Sequence, residues 1–198
     1  MIAGPSEIMV LADSTANPDW VAADLLSQAE HGSGHEAVVC VTDNLQQAKW
    51  IADCLEQQVE ASPVKEQLIK VLSAHSAILV VKDWDTGVAI ANAFAPEHLE
   101  IMTARPRELS KKIRNAGAIF LGGWSSESIG DYIAGPNHTL PTNGTARFSS
   151  PLGVYDFIKR TSIIEYTEKA LRKYGAAAAT LADAEGFYHH AQALRKRL

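Results

Sequence analysis

The sequence predicts an α/β fold, a parallel sheet flanked by helices with a helical tail at the C-terminal end. Three observations predict it. Short runs that are apolar throughout alternate with stretches of helical period, and strands without a polar face belong to a parallel sheet covered on both sides. Helix-start signals stand between those runs, as at Asn17-Pro18 and Asn44. From Gly117 to Gly153 most of the periodicity stops, and seven of the 13 glycines with three of the eight prolines fall there. A long loop region of varied composition inside a compact domain points to function.

The first strand is Ile8 to Ala12, and Asn17-Pro18 opens a helix that runs to His31. Ala37 to Val41 is the second strand, followed by an Asn44-capped helix to about Glu60 and a helix opened by Pro63 to about Ser73. Ile78 to Val81 is the third strand, and a helix over Asp85 to Phe94 stops before Pro96. Leu99 to Met102 and Ala118 to Leu121 are two more strands, with a helix over Pro106 to Arg114 between them. The chain turns helical again from Ile163 through Leu181, and Asp183 caps a last helix. Ala176 to Ala179 are too small to fill a large core, so the tail is expected to pack elsewhere. The expected division is an α/β domain over residues 1–150, carrying the candidate site, and a linker with a helical tail over 151–198.

Composition narrows the partners. The 198 residues carry 18 Lys+Arg against 23 Asp+Glu, a net charge of −5 with the positive charge dispersed, which offers no footprint for nucleic acid. Arg195-Lys196-Arg197 ends a helical pattern, where cations face the negative end of the helix dipole. No apolar run approaches the ~20 residues of a bilayer span. Met1 to Pro5 lacks the basic start and apolar stretch of a signal peptide. The expected setting is cytoplasmic, with neither membrane nor nucleic acid as partner. Cys40 and Cys54 make no Cys-x-x-Cys pair and read as small buried hydrophobes. A chain of this length buries roughly 70% of its unfolded surface, so a metal here would serve chemistry rather than folding.

Gly32-Ser33-Gly34-His35-Glu36-Ala37 spells a dinucleotide fingerprint but ends a helix and leads into a strand, the reverse of the order that fingerprint requires, and reads as a helix stop and turn. No Walker A sequence, His-Glu-x-x-His or nucleophile elbow is present. Four groups remain. Asp24, Gln28 and His31 fall at i, i+4 and i+7 on one helical stripe, which taken alone reads as a solvated face ahead of a metal site, since Gln is a rare metal ligand. Glu97 and His98 stand side by side at the mouth of a strand, a carboxyl and the side chain suited to move protons near neutral pH, or else a surface turn. Asp131 and His138 lie seven apart in glycine- and proline-punctuated backbone. Glu185 precedes His189-His190 on the terminal helix, where adjacent side chains point about 100° apart and at most one histidine faces a given site. His35 and His75 stand without such company. Two histidines, a carboxylate and a carboxamide make a mixed N/O donor set that suits Zn²⁺ where they converge.

The chain resembles the histidinol dehydrogenase family. The resemblance rests on residues 2–8 (IAGPSEI), 22–31 (AADLLSQAEH), 95–100 (APEHLE), 115–122 (NAGAIFLG), Gly130-Asp131-Tyr132, 135–142 (GPNHTLPT), and Glu185-Gly186 with His190. They run in family order over essentially the whole chain. The resemblance implies an incomplete Rossmann-like sheet in which Gln28, His31, Asp131 and His190 hold one Zn²⁺ that grips the imidazole and amine of histidinol. It implies that His98 takes the alcohol proton and that Glu97 activates water for the second oxidation, with two NAD consumed on the way to histidine. Ser6, His138 and Glu185 would touch the substrate, as would Glu97, His98 and the metal ligands. The tail would cross to a partner, so that Glu185 and His190 complete the neighbour's site in a homodimer. His189 stands where the family has a small residue, which leaves the register between His189 and His190 open. The family's NAD-contacting residues lie in an N-terminal half without counterpart here, which implies a shortened member or the C-terminal half alone, active with a separate N-terminal half. The alternative is a non-catalytic dimeric remnant that binds zinc or an imidazole.

Overall fold

The computed structural model describes residues 4–198; Ile2 and Ala3, which share in the resemblance, lie outside the described residues, as does most of the stretch read for a signal peptide. Five strands, β1 (Glu7–Ala12), β2 (Ala37–Thr42), β3 (Ser76–Val80), β4 (His98–Met102) and β5 (Ala118–Leu121), form one sheet. Its order is β3-β2-β1-β4-β5 with every neighbouring pair parallel. The helices are α1 (Pro18–Ala29), α2 (Leu45–Ala61), α3 (Lys65–His75), α4 (Trp84–Phe94), α5 (Pro106–Ser110), α6 (Glu127–Tyr132), α7 (Glu168–Ala184) and α8 (Tyr188–Arg195). The predicted α/β class is the observed one.

Strand period two sorts the central strands between two cores. Ile8, Val10 and Ala12 of β1, with Met102 of β4, pack beneath Val21 and Leu25 of α1, Ile51 of α2 and Val71 of α3. Met9, Leu11, Leu99 and Ile101 face the other way, onto Val88 and Ala91 of α4 and Leu109 of α5. His98 and Glu100 therefore share the α1 side of β4 with Met102. That polar pair on an otherwise apolar strand positions the site.

Several boundaries differ from the sequence reading. Helix α4 begins at Trp84 because Asp83 accepts the Thr86 N–H at 2.8 Å as its N-cap. Helix α5 stops at Ser110, short of Arg114, and the glycine-rich region contains a helix, α6, that no periodicity announced. Helix α7 starts at Glu168, where Thr167 caps it, instead of near Ile163. Asp183 lies inside α7 and caps nothing; Glu185 ends that helix and Gly186, at φ +79°, makes the left-handed exit.

The chain divides into two compact units, the first ending at Phe157 and the second spanning Ile158–Leu198. In the second, α7 and α8 pack around Gly175, Ala179 and Ala191, the buried residues of the two helices, and an ion pair joins Arg195 to Asp183. Among the described residues, no helix is long and apolar enough to cross a membrane. Cys40 is buried, with its thiol pushed up to about 12 by desolvation, and Cys54 is half-buried; both are free.

Candidate active site

Helix α4 ends at Ala95 in the left-handed region, φ 55° and ψ 59°, and Pro96 follows, so the chain turns sharply into β4. This turn delivers Glu97 and His98 to the amino end of the strand. Ligands in open α/β sheets usually gather at the carboxyl ends, where a cavity of about 290 Å³ here is lined by Asp13, Trp84, Arg105 and Lys112. The acid–imidazole pair is at the opposite end. Helix α1 runs antiparallel to the strands, so its last turn is brought to the same end.

Glu7, the first residue of β1, organises the pair. Its N–H donates to Glu97 Oε2 at 3.0 Å, while the Glu97 N–H donates back to Glu7 Oε2 at 3.3 Å. Glu7 Oε1 accepts the N–H of Asn143 at 2.9 Å, and the carbonyl of Glu7 accepts from His98 Nδ1 at 3.1 Å. Gly117 closes this corner: a Cβ there would lie 2.5 Å from the carbonyl oxygen of Glu97. With Nδ1 carrying the proton, Nε2 of His98 is a free lone pair, and it is buried without a hydrogen-bond partner.

That lone pair faces acids. Glu127 Oε1 lies 3.7 Å from His98 Nε2, and one ligand atom each from His98, Glu127 and Asp131 lie within 4.8 Å of one another. Burial holds the His98 pKa below its ordinary value, against the hydrogen bond to Glu7 and the charge of Asp131, so the ring is neutral near pH 7 and its contacts with Glu97 and Glu127 are not ion pairs. The charges of His31 and His138 also act on it. Burial pushes Glu97 up to about 8, helped by the charges of Glu7, Asp131 and Glu127 and opposed by the Glu7 N–H. Burial likewise raises Glu127, beside Asp131, and Glu7. Phe120 of β5 covers the imidazole at 6.2 Å between ring centres.

A cleft of about 300 Å³ opens beside this group, lined among others by Ser27, Gln28, His31, Glu127, Asp131 and Tyr132. Gln28 is 1% exposed and its Oε1 has no partner. His31, just past the end of α1, is exposed, with Nδ1 3.2 Å from the Gln28 carbonyl, an arrangement that frees Nε2. The structure thus brings Gln28, His31 and Asp131 to one cleft beside Glu97 and His98. Ser6 is half-buried just before β1, and His138 is exposed in the loop after Gly135. Glu185 and His190 are exposed residues of the second unit; the His190 ring lies 5.1 Å from Phe187, and the His189 ring 5.1 Å from Tyr188.

Sequence reading missed Glu7, Glu100 and Glu127. Glu100 had a signal, an acid two residues from His98 in a strand whose other side is apolar. Glu127 and Asp131 stand at i and i+4, a helical spacing hidden by Gly130 and by the shortness of α6.

These features define an α/β protein whose strands carry, at their amino ends, a buried acid–imidazole pair beside a convergent set of N and O donors. The chain belongs to the histidinol dehydrogenase family, whose model, described as "Histidinol dehydrogenase", matches residues 1–198. A histidinol dehydrogenase of Halalkalibacterium halodurans is 52% identical over 198 residues, covering 100% of this chain and 46% of the relative. One of Ralstonia nicotianae is 51% identical over 201 residues, covering 100% of this chain and 45% of the relative. The crystal structure of histidinol dehydrogenase from Elizabethkingia anophelis superposes with a TM-score of 0.87 at 40% identity, covering 100% of this chain and 45% of that one. The chain spans a little under half the length of these relatives.

Proposed function

We propose that this chain carries the substrate- and metal-binding half of a histidinol dehydrogenase, the NAD-linked enzyme that oxidises L-histidinol through histidinaldehyde to L-histidine in histidine biosynthesis. The carrying observation is the unpartnered Nε2 of His98, buried between Glu97 and the Glu127–Asp131 pair. A neutral imidazole with its lone pair aimed into a cleft is a base awaiting a proton.

In this reading His98 Nε2 accepts the hydroxyl proton of histidinol, while the Glu7 carbonyl keeps Nδ1–H in place and steadies the imidazolium that forms. Glu97, held by the Glu7 N–H, once ionised takes a proton from the water that adds to the aldehyde; burial raises its pKa to about 8, so this step gains as pH rises toward that value. Once His98 has passed its first proton to solvent, its Nε2 accepts the second hydroxyl proton, that of the hydrate.

Among the described residues four buried side-chain atoms, Gln28 Oε1, His98 Nε2, Glu100 Oε2 and Glu127 Oε1, lack partners, and such atoms cost about 1–3 kcal/mol each unless something binds them. This mixed N/O set fits Zn²⁺. Gln28, His31 and Asp131 would hold it, with His190 supplied by a partner's tail. Bound there, zinc supplies a fixed positive charge that anchors the imidazole and amine of the substrate. Ser6, His138 and Glu185 are proposed as further substrate contacts. NAD finds no such fit: the segment from the end of β1 to the start of α1, Asp13 to Asn17, has no glycine to admit a pyrophosphate. We assign NAD binding to the family's N-terminal half, which these residues do not include.

Calorimetric titration of histidinol into the chain, with and without one equivalent of Zn²⁺, tests this reading. Zinc-dependent binding supports it, and no binding in either state overturns it. Binding without NADH formation after an N-terminal half is added would favour the non-catalytic alternative.

A further inference from the structure

We propose that Glu100 is a positioning residue, whose buried carboxyl anchors the start of α6 so that Glu127 and Asp131 face His98. The inference rests on the functional reading above only for what α6 is positioned to do.

The first amides of a helix have no intrahelical acceptor, and a side chain at the N-cap usually supplies one. Ser126 occupies that place for α6, yet its side chain makes no capping bond. The Glu127 N–H donates instead to Glu100 Oε1 at 2.7 Å, from a strand 27 residues earlier in the chain. Glu100 is 1% exposed, set in the sheet between Val10 of β1 and Phe120 of β5. The Asp24 carboxyl, on the same helix as Gln28, is its close neighbour, while Glu100 Oε2 is buried without a hydrogen-bond partner.

One side chain of β4 thus fixes the start of the helix that brings Glu127 and Asp131 to the cleft. Two links surround it: the Ser27 hydroxyl donates to Glu127 Oε2 at 3.1 Å, and Gly130 packs so closely on Phe120 that a Cβ would come within 2.7 Å of its ring. Helix α6 is only six residues long and exposes Ile129 and Tyr132, with Ile133 exposed just after it. Its packing onto the domain is slight, and a hydrogen bond inside the sheet holds it in one register. Glu100 and His98 share one face of β4, so the strand that presents the base also carries the acid that fixes the opposite wall.

Two measurements on the intact chain test this. The first is amide exchange of Glu127. In the wild type this amide is expected to be protected to the level of β4, in Glu100→Gln to stay protected, and in Glu100→Leu to exchange at least about tenfold faster. A wild-type Glu127 amide that exchanges like an exposed helix start overturns the proposal, whatever the variants do.

The second is Co²⁺ and Zn²⁺ binding, read by the visible spectrum of bound Co²⁺ and by affinity. Losing a group that orients metal-site side chains costs about 10–100-fold in affinity. Glu100→Leu is expected to weaken binding by that much and alter the spectrum, while Glu100→Gln restores both to near wild type. Glu100→Leu with wild-type affinity and spectrum overturns the positioning role, as does Glu100→Gln failing alongside it. A wild type that binds neither ion overturns the metal reading alone, and amide exchange still decides whether Glu100 holds α6.

Discussion

His98 points Nδ1 at the main-chain carbonyl of Glu7, 3.1 Å away, and so turns a bare Nε2 toward Glu127. The backbone of one strand sets the tautomer of a base on the next. This is possible because β1 and β4 are parallel neighbours in the register Ile8↔His98, which puts Glu7 beside the imidazole. The Glu7 side chain then returns to the Glu97 amide, so one residue orients both members of the pair.

The buried carboxyls make the metal-free chain sensitive to alkali. Glu97 is raised to about 8 from 4.5, so between those values the folded state holds a proton the unfolded state has lost. Stability therefore falls as pH rises through that window. His98 is lowered from 6.5 and acts oppositely, but only below 6.5, so the span from 6.5 to 8 reports the carboxyls. Thermal melts across that span are expected to show a loss on the order of 1–2 kcal/mol from Glu97, and Glu97→Gln should flatten the slope. An identical slope in the variant would contradict the assignment.

Gly117 and Gly130 set a contrast in strain. A Cβ at Gly117 meets the carbonyl oxygen of Glu97 at 2.5 Å, which is backbone and has little room to yield, whereas one at Gly130 meets the edge of the Phe120 ring at 2.7 Å. Gly117→Ala is expected to cost about 1–3 kcal/mol by urea denaturation and to weaken histidinol binding by displacing Glu97. Gly130→Ala should cost less, because a ring can tilt. Equal effects would show that the Glu97 turn is not tightly held.

The same particulars show what the sequence discloses. Uniformly apolar runs with capped helices between them gave five strands and most of the helices, because burial on both faces leaves a compositional mark. Helix α6 left none: one residue of its six, Gly130, was read as loop punctuation, and its first amide is satisfied by Glu100, a tertiary partner invisible to local pattern. Glu7 and Glu127 look like ordinary surface acids until the fold buries them. Glu97 and His98 precede Leu99, so the sequence sets them at the amino end of β4, but only the fold shows that Glu127 and Asp131 meet His98 there.

Gln28 illustrates a cost of binding chemistry. Its amide is 1% exposed with Oε1 unpartnered, a burden on the metal-free fold. Gln28→Met, close in shape and without that polar atom, is expected to stabilise the metal-free chain by about 1 kcal/mol while weakening Zn²⁺ affinity about tenfold or more. Paired melts and zinc titrations check both halves, and a variant destabilised without metal would show that Oε1 is satisfied in solution.

Zinc affinity should itself fall as pH drops through the histidine range, since the ligands must be deprotonated to bind. His31 is exposed and lines the same cleft as Gln28 and Asp131, where its free Nε2 would meet the metal. Titrations at neutral and mildly acidic pH are expected to show weaker binding at the lower value. Equal affinities at the two values would remove His31 and His190 from the proposed ligand set.

The tail gives the test of assembly. The buried residues of α7 and α8 are Gly175, Ala179 and Ala191, too little apolar area to order two helices at about 25 cal/mol per Å². Leu181, Phe187 and Tyr188 are meanwhile 67%, 53% and 62% exposed, and Ile163 and Ile164 lie bare ahead of α7. A second copy of this chain would cover such a surface, which matches the swapped homodimer proposed for Glu185 and His190. Sedimentation should therefore give a dimer, and Leu181→Glu should shift it toward monomer. Because His190 would then leave the neighbour's cleft, zinc and histidinol affinity should fall with the dimer fraction, at unchanged far-ultraviolet dichroism. A monomeric wild type that binds zinc and histidinol fully would instead place every ligand within one chain.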